Sequence, residues 1–167
     1  MFLVSESPLP EDALLGSYAR DPSHYTDCYS VDLPGQLELG DALRGFYATW
    51  LFQAERLILR MAGMPKQENE IEALASGASE TFAAWRVESR SQTQILLRDT
   101  SGHTGSWFMV APEGAGTRFY FGSVVLARGK AEGEAPKMGW LFKLLLGPHK
   151  LYAQALLALA RRKILTQ

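Results

Sequence analysis

The strongest constraint on this chain is the order in which its hydrophobic periods change. A strand-like segment, Tyr25–Asp32, comes first, and a helical stripe from Leu43 to Met61 follows it. Strand-and-hairpin pattern then runs from Phe82 to Ala127, and an apolar helix from about Lys137 to Leu165 closes the chain. A run of hairpins builds a sheet with one covered side, and the last helix is the apolar surface available to cover it. The order therefore predicts an α+β domain in which a curved antiparallel sheet wraps around a long C-terminal helix, with helices inserted after the first strand.

The hairpins carry a register. A two-residue turn at Ser101-Gly102 sets Asp99 opposite Thr104, Leu97 opposite Ser106 and Ile95 opposite Phe108. A four-residue loop from Glu113 to Gly116 sets Val110 opposite Phe119, Phe108 opposite Phe121 and Ser106 opposite Ser123. Both place Ile95, Leu97, Phe108, Val110, Phe119, Phe121 and Val125 on one face, and a three-residue loop at Arg90–Gln92 adds Trp85 and Val87. A one-residue slip would instead present Arg86 and Glu88. The opposite face then carries Arg86, Glu88, Arg90 and Arg98, a solvated pattern, together with Trp107 and Tyr120, which fit it poorly unless they form an interface patch or the register is in error.

The helical stripe falls at spacings of three, four and one through Phe46, Tyr47, Trp50, Leu51, Leu57 and Ile58, and Gly63 and Pro65 end it. Gly45 is a point where it can break in two. A short helix around Glu68–Ala75 ends near Gly77. In the last helix Gly147-Pro148 marks a kink or a new start. Beyond it Lys150, Gln154 and Arg161 form a polar stripe, with Tyr152, Leu156 and Leu159 opposite.

A length of 167 residues, 47% apolar and 21% charged, suits one domain with a core. Residues 1–23, with Pro8, Pro10 and Pro22, read as an N-terminal arm, and 24–167 as a single domain. A net charge of −1 gives no electrostatic reason to expect nucleic acid. The basic run Arg161, Arg162, Lys163 suits a helix C-terminus. A single cysteine, Cys28, excludes an internal disulfide and fits a reducing, cytoplasmic compartment. The N-terminus lacks the basic and apolar regions of a signal peptide. No apolar stretch approaches the ~20 residues a membrane span needs.

Several segments together resemble the START-like (SRPBCC, helix-grip) superfamily and, within it, an uncharacterised bacterial family. They are Tyr25–Pro34, the aromatic strand Phe82–Trp85, Gly105–Trp107, Thr117–Val125 and Leu141–Tyr152. The resemblance covers roughly residues 24 to 165. It implies a curved antiparallel sheet gripping a long C-terminal helix, often with a cavity for an apolar or amphipathic ligand. It transfers a fold and not an activity. The sequence shows about five strands, where fuller members have six or seven.

The expected site lies between the sheet and the last helix, with Trp85, Val87, Ser106, Phe108, Phe119, Phe121, Ser123, Tyr152 and Leu156 holding a small apolar or amphipathic molecule. Ser106 and Ser123 either orient that molecule or satisfy one another across the strands. A metal-independent enzyme in the same pocket would rely on Asp27 or His149 for proton transfer. Asp27 shares a strand face with Tyr25 and Tyr29, and whether that face points inward is open. His149 sits at the edge of the buried stripe near a helix start, where the dipole favours a neutral imidazole, or it is a helix-entry residue that hydrogen-bonds the loop. Cys28 has no base in reach, since His24 is about 13 Å along the strand. His24, His103 and His149 lack metal-ligand spacing, so neither a metal nor a cofactor is expected. A third reading is an interaction module, with Trp140 and its apolar neighbours, Trp107 and Tyr120 docking a partner or a second copy as a homodimer.

Overall fold

The computed structural model describes residues 4–53, 69–126 and 140–166, with only the backbone for 140–149. Seven strands form one antiparallel sheet: β1 (Ser5–Glu6), β2 (Tyr25–Pro34), β3 (Thr81–Phe82), β4 (Trp85–Arg90), β5 (Gln94–Asp99), β6 (Thr104–Glu113) and β7 (Gly116–Val125), in the order β1-β2-β7-β6-β5-β4-β3. Among the described residues it is accompanied by the helices α1 (Gly16–Ala19), α2 (Leu39–Tyr47), α3 (Glu70–Ser76) and α4 (Trp140–Ile164), and by a further helical segment at 50–53. The last helix packs on α2 and β2. This is the helix-grip architecture.

The sheet has two strands more than the five read from the sequence. Both are two residues long, too short to show an alternation. The Phe82–Trp85 segment is not one strand but a tight hairpin. Phe82 pairs with Trp85 across Ala83 and Ala84, and Ala83 takes a positive φ of 50°. No Gly or Asn signals that turn, so pattern alone reads straight through it.

The β5-β6-β7 register is as expected: Ile95 faces Phe108, Leu97 faces Ser106, Ser106 faces Ser123 and Phe108 faces Phe121. The turn details differ. At the first turn Gly102 N–H bonds Asp99 O at 2.9 Å, and the strands end at Asp99 and Thr104, leaving four residues between them. The second loop is tighter than expected, because Glu113 pairs directly with Gly116. Its first central residue, Gly114, has φ 57°, where a hairpin of the II′ kind needs glycine. Between β4 and β5 the partners shift: Val87 faces Leu97 and Trp85 faces Asp99. A bulge between Val87 and Ser89 then moves Arg90 opposite Ile95. Arg90 thereby leaves the solvated face, and its guanidinium donates to Leu74 O at the end of α3.

The long helical stripe is broken, though not at Gly45. The α2 helix runs through Gly45 and ends at Ala48 (φ −82°, ψ 0°), and helix resumes at residue 50. Thr49 caps the restart, its Oγ1 accepting from Phe52 N–H at 3.4 Å. The break turns Trp50 outward, 67% exposed, and brings Phe52 in. The remainder of the stripe, to Met61, lies outside the described residues. Gly45 has a different role: a Cβ there would collide with Ile164, so the absence of a side chain lets α4 seat on α2. The short helix before Gly77 is α3, and Gly77 closes it at φ 78°. The α4 backbone is helical without interruption through Gly147-Pro148. Its expected start near Lys137 lies outside the described residues.

Two cores flank the sheet. On the inner face Tyr29, Phe46, Phe82, Phe108, Phe119 and Leu157 are buried beneath α2 and α4. On the outer face Cys28, Leu96, Trp107, Met109 and Val124 pack against Ala13 and Leu15. That second core is the main departure from the expected solvated face. Residues 4–23 cover it: β1 pairs with β2, and Leu15 is fully buried. Buried Gln94 clasps the cover to the sheet. Its Oε1 accepts from Leu14 N–H at 2.9 Å and from the Trp107 indole at 3.0 Å, and its amide donates to Asp12 O at 3.1 Å. Trp107 is therefore core and not an exposed patch. Arg98 is also less solvated than expected, lying over the Tyr18 ring at 5.2 Å and pairing with Glu88 at 3.2 Å.

Candidate functional site

The inner face does not fill completely. A cavity of about 210 Å³ lies between β6, β7 and α4. Phe108 and Phe121 form its floor, Tyr152, Ala153 and Leu156 of α4 its roof, and Phe46, Phe52 and Trp85 its sides. The aromatic walls brace one another. Phe46 meets Phe108 edge-on with centroids 4.8 Å apart, and lies 5.0 Å from Phe121. The packed rings are too stiff to collapse into the remaining space.

Three aliphatic hydroxyls are grouped at one end of this cavity. Thr104, Ser106 and Ser123 line it where β6 begins and β7 ends. Thr104 is exposed, Ser106 half-buried and Ser123 buried, so the hydroxyls run inward from solvent toward the phenylalanines.

Asp27 stands behind Ser123. The β2–β7 register places Asp27 opposite Ser123 and Tyr29 opposite Phe121, which settles the face question: Tyr25, Asp27 and Tyr29 point inward. Asp27 is buried, and its Oδ1 accepts from Ser123 N–H at 2.9 Å and from the Ser123 hydroxyl at 2.6 Å. The Tyr25 hydroxyl donates to Oδ2 at 3.5 Å. Burial, and next the Asp27 charge, raise the Tyr25 and Tyr29 phenols well above their ordinary range, so both stay protonated donors. The carboxylate does not itself line the cavity, where Ser123 stands in front of it.

Seven of the nine residues expected at the site line the cavity: Trp85, Ser106, Phe108, Phe121, Ser123, Tyr152 and Leu156. The other two stand behind the wall. Phe119 is fully buried and stacks on Phe108 at 6.2 Å, while Val87 packs at the periphery of the inner core. Phe46, Tyr47 and Phe52 were not anticipated. The first two were legible as part of the helical stripe, but the crossing of α2 over the sheet was not. Phe52 lay off that stripe and comes inward only through the Thr49 restart. The hydroxyl of Ser123 donates to Asp27, a long-range partner outside the hairpin from which Ser106 was read.

Cys28 faces the outer core. Burial, and then the adjacent Asp27 charge, push its thiol up to about 12, which removes it as a nucleophile at neutral pH. His24 lies beside Tyr18, centroids 5.8 Å apart, and 3.6 Å from Asp21. His103 sits in the Asp99 turn, its Nδ1 2.9 Å from Ser101 Oγ. The side chains of His149 and Trp140 lie outside the described residues. Among the described residues no three His, Cys, Asp or Glu side chains converge as metal ligands, and no helix is long and apolar enough to cross a membrane.

A larger cleft, about 390 Å³, opens at the other end of the sheet between Gln36–Glu38 and the β6–β7 hairpin. Its polar groups serve the fold: Thr117 Oγ1 accepts from Leu37 N–H at 3.0 Å and donates to Gly35 O at 2.9 Å. Among the described residues it has no aromatic walls, and its buried polar residue, Thr117, is engaged in those two backbone bonds.

No family model matches the chain, and no curated protein matches it. Among solved structures it is similar to the crystal structure of Ara h 8.0201, with a TM-score of 0.44 and 8% identity over 86% of this chain and 99% of that one. The helix-grip assignment rests on the strand order and on the seating of the last helix over the inner face.

Proposed function

We propose that the chain is a binding domain for a small apolar or amphipathic molecule, held between the inner sheet face and α4. The observation that carries this reading is the aromatic cavity with the Thr104, Ser106 and Ser123 hydroxyls grouped where β6 begins and β7 ends. That grouping suits a molecule with an apolar body and a polar end. A volume of about 210 Å³ lies below the common range for drug-sized ligands, roughly 300–1,000 Å³, so the molecule is small, and neither a sterol nor a long acyl chain fits whole. The narrower proposals are a place in a bacterial START-like family, a cytoplasmic location and use as a carrier or sensor. Native mass spectrometry of the purified protein tests the reading. A copurifying small molecule, lost in a variant that fills the cavity, supports it. No copurifying species and no affinity for any small aromatic probe would reject it.

The enzymatic alternative has less support, because among the described residues Asp27 does not line the cavity and stands behind Ser123, which does. The interaction-module alternative loses Trp107, which the N-terminal residues bury.

A further inference from the structure

We infer that the cavity selects a molecule with an aromatic ring over a saturated one of the same outline, the ligand ring taking a place in the ring network of the inner core. The inference rests on the binding reading above and narrows the apolar body of that ligand.

The cavity is walled by rings already packed against rings. Phe46 stands edge-on to Phe108, at 76° with centroids 4.8 Å apart, and tilts at 40° to Phe121 at 5.0 Å. Phe108 and Phe121 lie 5.2 Å apart at 36°. Phe52 is 4.7 Å from Tyr47, which in turn is 5.7 Å from Phe108, so the network runs unbroken from the floor to the side of the cavity. These separations fall within the roughly 4.5–7 Å span of favourable aromatic pairs.

The angles matter as much as the distances. Rings tilted against one another cannot all turn the same aspect to the space they enclose, so electron-rich faces and electron-poor edges both border it. A benzene ring entering that space meets an edge with its face and a face with its edge. A saturated ring presents C–H groups on every side and gains only from burial.

The roof gives the vacancy its size. Buried Ala153 is the smallest of the three α4 side chains over this floor, the others being Tyr152 and Leu156. An apolar cavity of about 150 Å³ accommodates benzene, and this one measures about 210 Å³. The body that fits is one benzene ring with a small ring fused to it.

The test compares 2-indanol, an indane with one hydroxyl, with its counterpart in which the benzene ring is fully hydrogenated. The hydroxyl is common to both, so its contacts cancel in the ratio of affinities. Hydrogenation makes the body more hydrophobic, so burial alone favours the saturated probe. Binding to the wild-type protein is measured by calorimetry or by NMR titration. The expected result is 2-indanol about tenfold tighter than its saturated counterpart. Phe121→Leu keeps an apolar wall and removes one ring, and there the two affinities should converge to within about threefold. Phe52→Leu, at the side of the cavity, tests the same point where Phe121→Leu does not fold. Equal affinities in the wild type, or a tighter saturated probe, overturn the inference while leaving the binding reading intact. A tenfold preference unchanged in the leucine variants assigns it to shape and overturns the inference as well. Failure of both probes to bind the wild type rejects the binding reading and this inference with it.

Discussion

The two faces of the sheet are built from the same strands, yet one is solid and the other is hollow. On the outer face Trp107, Leu96, Cys28 and Val124 are capped by a short, irregular segment whose Leu15 reaches full burial. Gly122 shows how closely that layer fits: a Cβ there would lie 2.8 Å from both Asp27 O and Leu15 Cδ2 and 3.0 Å from Trp107 Cε3. On the inner face two helices and a ring of phenylalanines leave about 210 Å³ open. An irregular segment adapts to the surface it covers. A straight helix over a curved sheet touches along its length and leaves space on either side, and stiff aromatic rings cannot flow into it.

Substitutions can break that contrast. The largest effect is expected from Trp107→Ala, which removes a fully buried indole and its bond to Gln94. It should cost about 3–5 kcal/mol in urea unfolding, and a cost under about 1 kcal/mol would mean the outer layer is not a core. Gly122→Ala forces a methyl into the solid side and should lose about 2 kcal/mol.

Asp99 sits where the strand register of both faces is set. Burial pushes its carboxyl up, but the Ser101 hydroxyl and the Thr104 and His103 N–H groups outweigh burial and hold it below its ordinary value. Its contribution is therefore present at neutral pH, above the unfolded value near ~3.9, and is lost as pH falls through the folded value. Asp99→Ala should cost about 1 kcal/mol at neutral pH, with the gap from wild type closing in acid. A gap independent of pH would assign the cost to something other than the carboxylate. The smallest effect is expected from Ala153→Leu, which places a larger side chain into the hollow side. It should stabilise by about 0.5–1 kcal/mol while weakening indane binding at least tenfold. Destabilisation on the scale of Gly122→Ala would mean that the hollow is not usable space.

The pairing of β5, β6 and β7 was legible because glycine marks both turns, at Gly102 and Gly114, and the turn positions fix which residues oppose one another. Register alone then placed Ser106 opposite Ser123 within an aromatic face. Legibility failed where the cause is non-local. The Ala83-Ala84 turn has no turn residue, and the two strands missed have no room for a period. Gly45 reads as a helix breaker but answers to Ile164, more than a hundred positions away. Trp107 looked misplaced only because its cover, Ala13 and Leu15, lies in a segment without periodicity. The role of Ser123 needed Asp27 from the opposite end of the chain, a partner that sequence spacing does not signal.

The seal over Cys28 has a practical consequence. The chain carries one sulfhydryl, roofed by residues whose backbone is fastened to it through Ser7 N–H and Cys28 O at 3.0 Å. Labelling by a thiol reagent therefore proceeds only while that roof is lifted. The labelling rate is a clock for one local opening event, read without mutation, tag or spectroscopic probe.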